Sequence, residues 1–177
     1  MRTINATNPD TNAWSQLERS EVTLEEFCDL FEAEARSAGG ELDAREVITM
    51  LSGQIRPQMV EAVRRCSERL KTALLTNNFI LAEPTAGGAA DVFDLFHVVI
   101  ESSKVGVRKP DPRFYELALD ALQVEPGEAV FLDDLGINLK PARQLGMATI
   151  KVTDPDRALD DLEQLVGFPL RDGADER

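Results

Sequence analysis

The spacing of apolar residues changes character near residue 70. Ahead of that point they recur every three or four positions, the period of a helix with one buried face. Thr23 followed by Glu26 forms a capping box before LEEFCDLFEAEARSAGG, where Leu24, Phe27, Leu30 and Phe31 share a face. Gly39-Gly40 is predicted to end this helix. Asp43 and Glu46 repeat the capping signal before REVITMLSG, and after Pro57 the run QMVEAVRRCSERL sets Met59, Val60, Val63 and Cys66 on one side. No strand signal occurs in this part. Beyond it the pattern becomes short apolar runs that close on polar residues: KTALLT (71–76), HVVIES (97–102), AVFLDD (129–134) and MATIKV (147–152). DPRFYELALDAL and NLKPARQLG read as helices between the last three. Strands alternating with helices predict a parallel α/β sheet with right-handed crossovers, and near-continuous apolar strands suit a sheet covered on both faces. Residues 82–90 (AEPTAGGAA) read as a flexible loop, DRALDDLEQLVG as a final helix and RDGADER as a frayed tail.

Composition narrows the class without choosing a function. At 177 residues, with 43% hydrophobic and 29% charged residues, the chain suits one globular domain with room for a small attached layer. A formal charge of -13 without a Lys/Arg cluster argues against nucleic acid and acidic membranes as partners. No apolar run approaches the ~20 residues that span a bilayer. The opening MRTINATNPDTN lacks the basic-then-apolar pattern of a signal peptide. Cys28 and Cys66 fall on amphipathic helices and read as buried free thiols. A cytoplasmic protein is expected.

The candidate chemistry stands at the strand ends. In open α/β sheets ligands bind outside the carboxyl ends of the strands. Thr76 ends one strand, Asp133 and Asp134 end another, and Lys109 lies in the loop after a third. A hydroxyl and backbone amides at Thr76 and Asn77 suit phosphoryl oxygens, and the Lys109 ammonium offsets charge as a nucleophile meets a dianion. Carboxylates at 133 and 134 suit Mg²⁺, which prefers oxygen ligands and commonly uses one or two carboxylates plus substrate phosphate. Asn138 opens the next helix and is expected to orient Asp134, while Asp111 is expected to cap the helix starting near Arg113. Trp14, Tyr115 and His97 read as structural residues. Taken singly, Thr-Asn-Asn is a turn and KPDP a loop-to-helix junction. The ordered set at successive strand ends is what carries the functional reading. A signalling receiver also uses paired acids, Thr and Lys-Pro, but its acids come first and its Lys last, the reverse of the order here.

These motifs resemble the haloacid dehalogenase superfamily of hydrolases, in particular the phosphatase-like N-terminal domain of soluble epoxide hydrolase and the matching domain of some acyl-CoA dehydrogenases. The likeness runs from Trp14 to about Leu170 and is most specific at LLTNNF, ESSKVGVRKPDPRFYELALDAL and VFLDDLGINLKPARQLGMATIKVTDP. It implies a three-layer αβα Rossmann-like core at 58–170, a helical cap at 1–57 that sets substrate choice, and a tail at 171–177. It makes Thr76 the second-motif hydroxyl with Asn77 beside it, Lys109 the third-motif lysine, Asp134 the usual Mg²⁺ ligand and Asp133 its supporting neighbour. Phosphoric monoester hydrolysis through an aspartyl-phosphate, on a small phosphorylated substrate, is the implied activity. One departure is large. The family's first strand, central in its sheet and ending in Asp-x-Asp, has no counterpart ahead of Thr76; Asp10, in NPDTN, follows no apolar run. The expectation is an N-terminally truncated form, inactive as it stands, with a gap in the sheet between the strands at 71–76 and 129–134. A non-catalytic phosphate-binding or scaffold module is the alternative. Substrate identity and oligomeric state have no readable signal.

Overall fold

Local capping chemistry sets most of the helix boundaries. The computed structural model describes residues 8–51, 54–79 and 92–171. Asn12 caps α1 (Ala13–Glu18) by accepting from the Ser15 N–H, and this helix has no counterpart in the sequence reading. Thr23 and Glu26 make the expected reciprocal box at the start of α2 (Leu24–Ser37). Asp43 caps α3 (Ala44–Thr49), and Pro57 occupies the first position of α4 (Pro57–Ser67), where a missing N–H costs nothing. Gly39, at φ 80°, turns the chain after α2, as its predicted role requires.

The four predicted strands are present, each trimmed to four residues: β1 (Ala73–Thr76), β2 (Val98–Glu101), β3 (Val130–Asp133) and β4 (Ala148–Lys151). The expected run to residue 102 stops at Glu101, because Ser102 begins the short helix α5 (Ser102–Val105). Gly106, in the left-handed region at φ 69°, ends α5. Next come α6 (Pro112–Leu122), a 3-10 turn at Pro126–Glu128, α7 (Gly136–Leu145) and α8 (Pro155–Val166). Asp111 caps α6 as expected, its carboxylate accepting from the Arg113 N–H at 2.9 Å. β3 and β4 pair in parallel, Val130 opposite Ala148 and Asp133 opposite Lys151. Among the described residues the strands form two separate pairs, β1 with β2 and β3 with β4. Among the described residues no hydrogen-bonded ladder joins β1 to β3. The expected loop at 82–90 and all of the tail beyond Arg171 lie outside the described residues.

The chain divides into two units. One takes Met1–Gln54, Thr76–Thr85 and Glu101–Arg108; the other takes Ile55–Leu75, Ala86–Ile100 and Lys109–Arg177. In the first, Trp14 sits among aromatic rings, with centroids 4.8 Å from Phe27, 5.6 Å from Phe31 and 6.0 Å from Phe79. Phe27 and Phe31 are fully buried, and each such side chain contributes roughly 1.5–3 kcal/mol of burial energy. The Glu18 carboxylate accepts from Arg108 Nε at 2.6 Å, and Arg108 also donates to the Pro9 carbonyl. In the second unit, α7 packs on β3 and β4, α6 packs on α7, and α8 packs on β4 and α4. Ala62 and Cys66 of α4 meet Leu159 of α8 and Leu170 in one apolar cluster. Both cysteines are buried free thiols, as expected.

Candidate active site

The second unit brings Lys109, Asp133 and Asn138 together. Phe131 and Asp133 lie two apart on β3 and are both buried, so the strand carries an aromatic ring and a carboxylate into the interior. A buried carboxylate must find donors, and Asp133 finds three. Its Oδ2 accepts from Lys109 Nζ at 2.8 Å. Its Oδ1 accepts from the Leu135 N–H at 2.8 Å and from Asn138 Nδ2 at 3.0 Å. Side-chain exposure is 13% for Lys109 and 5% for Asp133, so this ion pair is shielded from water. The Lys109 ammonium also lies 5.8 Å from the centre of the Phe131 ring.

A second layer fixes Asn138. The buried Tyr115 hydroxyl donates to the Asn138 carbonyl at 2.7 Å, and the Tyr115 ring meets Phe131 edge-on with centroids 5.1 Å apart. Burial pushes the Tyr115 phenol above its ordinary range, and the Asp133 charge adds to that. The expected packing role of Tyr115 therefore includes a polar one. Asn138 itself departs from expectation, because its amide orients Asp133 rather than Asp134. The reason is geometric: Asp133 faces inward toward α7, while Asp134, the next residue, is exposed together with Leu135, Gly136 and Ile137.

The two carboxylates therefore differ. Both oxygens of Asp133 are engaged, which narrows the expectation that the pair would hold a metal jointly. Asp134 presents an exposed carboxylate just after β3 and just before α7, whose N-terminal end carries partial positive charge. Among the described residues no group of three or more His, Cys, Asp or Glu is arranged to hold a metal ion. A site with one protein carboxylate suits Mg²⁺ nonetheless, since that ion keeps waters and takes substrate oxygens.

Thr76 and Asn77 belong to the first unit, at the carboxyl end of β1, both half-buried. The residue after them, Asn78, was not singled out from sequence, yet it is bonded to Glu101, Ser102 and Ser103. The signal available was a polar pair, Asn77-Asn78, at one strand end and ESS at the end of its neighbour. His97 is structural, as read: its Nδ1 lies 3.0 Å from the Thr72 hydroxyl and accepts from the Thr72 N–H at 3.2 Å.

The chain is 39% identical over 170 residues to acyl-CoA dehydrogenase family member 10 of Mus musculus, covering 93% of this chain and 16% of that protein. It is 44% identical over 118 residues to bifunctional epoxide hydrolase 2 of Sus scrofa, covering 64% of this chain and 21% of that one. The chain thus spans about a fifth or less of these relatives. A HAD family enzyme from Bacteroides thetaiotaomicron, solved in complex with magnesium and inorganic phosphate, shares the fold with a TM-score of 0.59 at 20% identity. That match covers 80% of this chain and 75% of the other. The profile of the haloacid dehalogenase-like hydrolases matches residues 8–146, and the chain belongs to that family.

Proposed function

We propose that this chain carries the phosphate- and Mg²⁺-binding half of a phosphatase-type hydrolase acting on small phosphoric monoesters. The observation that carries the reading is the division of labour at the end of β3. Asp133 holds Lys109 in place, and Asp134 is left exposed for a cation. An ammonium fixed by a buried carboxylate needs little reorganisation as charge gathers on a phosphoryl group, which is where such a donor is most effective. The Tyr115–Asn138–Asp133 chain of hydrogen bonds keeps that ammonium oriented. Asp134 would supply the protein oxygen to Mg²⁺, which when bound offsets phosphate charge and orients the ester. The family resemblance adds the Thr76 hydroxyl and the Asn77 amide as phosphate donors. Hydrolysis through an aspartyl-phosphate also needs an attacking carboxylate. Among the described residues no strand ending in Asp precedes β1.

Two outcomes follow for the 177-residue chain. It should bind inorganic phosphate in a Mg²⁺-dependent way, and it should release no phosphate from an aryl phosphate. In calorimetric titrations Asp134→Asn should remove the Mg²⁺ dependence while the folding stability stays within about 0.5 kcal/mol of the parent, as for a surface change. Lys109→Ala should weaken phosphate binding with or without the cation. Unaltered Mg²⁺ dependence in D134N would overturn the metal assignment, and turnover by the parent chain would overturn the missing-nucleophile reading.

A binding-only module is the second reading, and it rests on the same observation that, among the described residues, no strand ending in Asp precedes β1. The intact mass of the protein from its source separates the two. A mass above that of these 177 residues supports the hydrolase, and a matching mass supports the binding module.

A further inference from the structure

The polar residues at the ends of β1 and β2 make a closed network whose purpose the metal and lysine assignments leave unexplained. Where β2 gives way to α5, the ladder of backbone hydrogen bonds to β1 can no longer continue. The Ser102 hydroxyl, fully buried, takes the place of the next rung. It accepts from the Asn78 N–H at 3.0 Å and donates to the Asn78 carbonyl at 3.2 Å. The Asn78 carboxamide closes the arrangement from the side chain. Its Nδ2 donates to Glu101 Oε1 at 2.8 Å, and its Oδ1 accepts from the Ser103 hydroxyl at 2.9 Å and the Ser103 N–H at 3.4 Å. Ser103 is itself 8% exposed, and its carbonyl accepts from the Ser20 hydroxyl at 2.9 Å. The Glu101 side chain is 12% exposed and ion-paired with Lys104.

A strand end followed by an irregular segment ordinarily frays, because its backbone groups have water as their competing partner. Here both backbone polar groups of Asn78 and both ends of its amide are bound, which pins the chain two residues beyond Thr76. We propose that Asn78 is a positioning residue that holds the Thr76–Asn77 segment in the conformation that receives phosphate. The inference rests on the phosphate-binding reading above and assigns a role to residues outside it. Asn78 acts through Thr76 and Asn77 and need not touch the ligand.

Reversing the polarity of one bond tests this. Asn78→Asp loses the donor and sets a carboxylate against Glu101, so phosphate affinity in the presence of Mg²⁺ should fall about tenfold, which corresponds to about 1.4 kcal/mol. Adding Glu101→Gln restores a donor–acceptor pair with the roles exchanged. The double variant should then return to within about threefold of the parent. Amide exchange at positions 76–78 should quicken in N78D and slow again in the double variant. A lower melting temperature in N78D with phosphate affinity and exchange unchanged would make Asn78 a fold residue only and overturn the proposal. Failure of the double variant to recover affinity would overturn it as well. If the parent chain binds no phosphate at all, the parent reading falls and this role with it; unaltered exchange in N78D with normal parent binding removes the Asn78 role alone.

Discussion

Asp133 has no spare oxygen, and this governs how a substitution there behaves. Asp133→Asn keeps the shape but removes the charge that neutralises Lys109 in a shielded site. Breaking one side of a buried pair costs about 3–5 kcal/mol, since the remaining charge is uncompensated. For a chain of this length that corresponds to a fall of roughly 6–20 °C in melting temperature, measurable by calorimetry. Asp134, one residue further and exposed, should give almost no change in the same experiment. The contrast is a property of alternation along a strand and its exit: adjacent residues face opposite environments. By pattern alone the two acids were equivalent, a pair beside a helix; the family resemblance told them apart, and their different burial now gives the physical reason for a lysine anchor at one and a candidate cation ligand at the other. Asn78 went unnoticed for a related reason. Its partners lie 23–25 residues away, and a single Asn after a strand looks like turn chemistry until those partners are placed.

At the level of elements, α4 carries a dense ion-pair cluster. Glu61 accepts from Arg64 Nε at 2.9 Å, from Arg64 Nη2 at 2.6 Å and from Arg65 Nε at 2.6 Å, and Arg64 also bonds Glu68. These guanidinium hydrogen bonds pull the Glu61 carboxyl down from 4.5 to about 2. A carboxylate whose folded-state pKa is depressed stabilises fully above its unfolded pKa, and that stabilisation disappears as pH falls through the folded one. The relevant window is therefore from about 4.5 down to about 2. In thermal melts across this range, Glu61→Gln should start less stable than the parent and converge on it at the acid end. A gap that stays constant with pH would show that the cluster contributes nothing through charge. The helix starts at Thr23, Asp43 and Asp111 were legible because caps are local. The helix α1 escaped because it is six residues long and capped by Asn12 without an apolar repeat to announce it.

At the scale of the molecule, each unit contains one buried thiol. Cys28 belongs to the aromatic cluster around Trp14, and Cys66 to the cluster of α4, α8 and Leu170. Burial raises both thiols above their ordinary range, which further lowers the thiolate that alkylating reagents require. At neutral pH neither should be labelled by iodoacetamide on a timescale in which both react in guanidinium. Mass spectrometry of the labelled peptides then shows which core opens. Fast labelling of either thiol in native buffer would contradict the packing. No helix among the described residues is long and apolar enough to cross a membrane. What the sequence determined by itself was set within a few residues: the caps at Thr23, Asp43 and Asp111, the four apolar strands, the order of Thr76, Lys109 and Asp133-Asp134, and so the family. The tertiary structure decided what depends on residues far apart. It paired Lys109 with Asp133, turned Asn138 toward Asp133, left Asp134 to solvent, clamped Asn78 between three residues of the neighbouring strand end, and kept the four strands as two pairs. Those outcomes follow from burial and from hydrogen-bond satisfaction between distant segments, which no local pattern encodes.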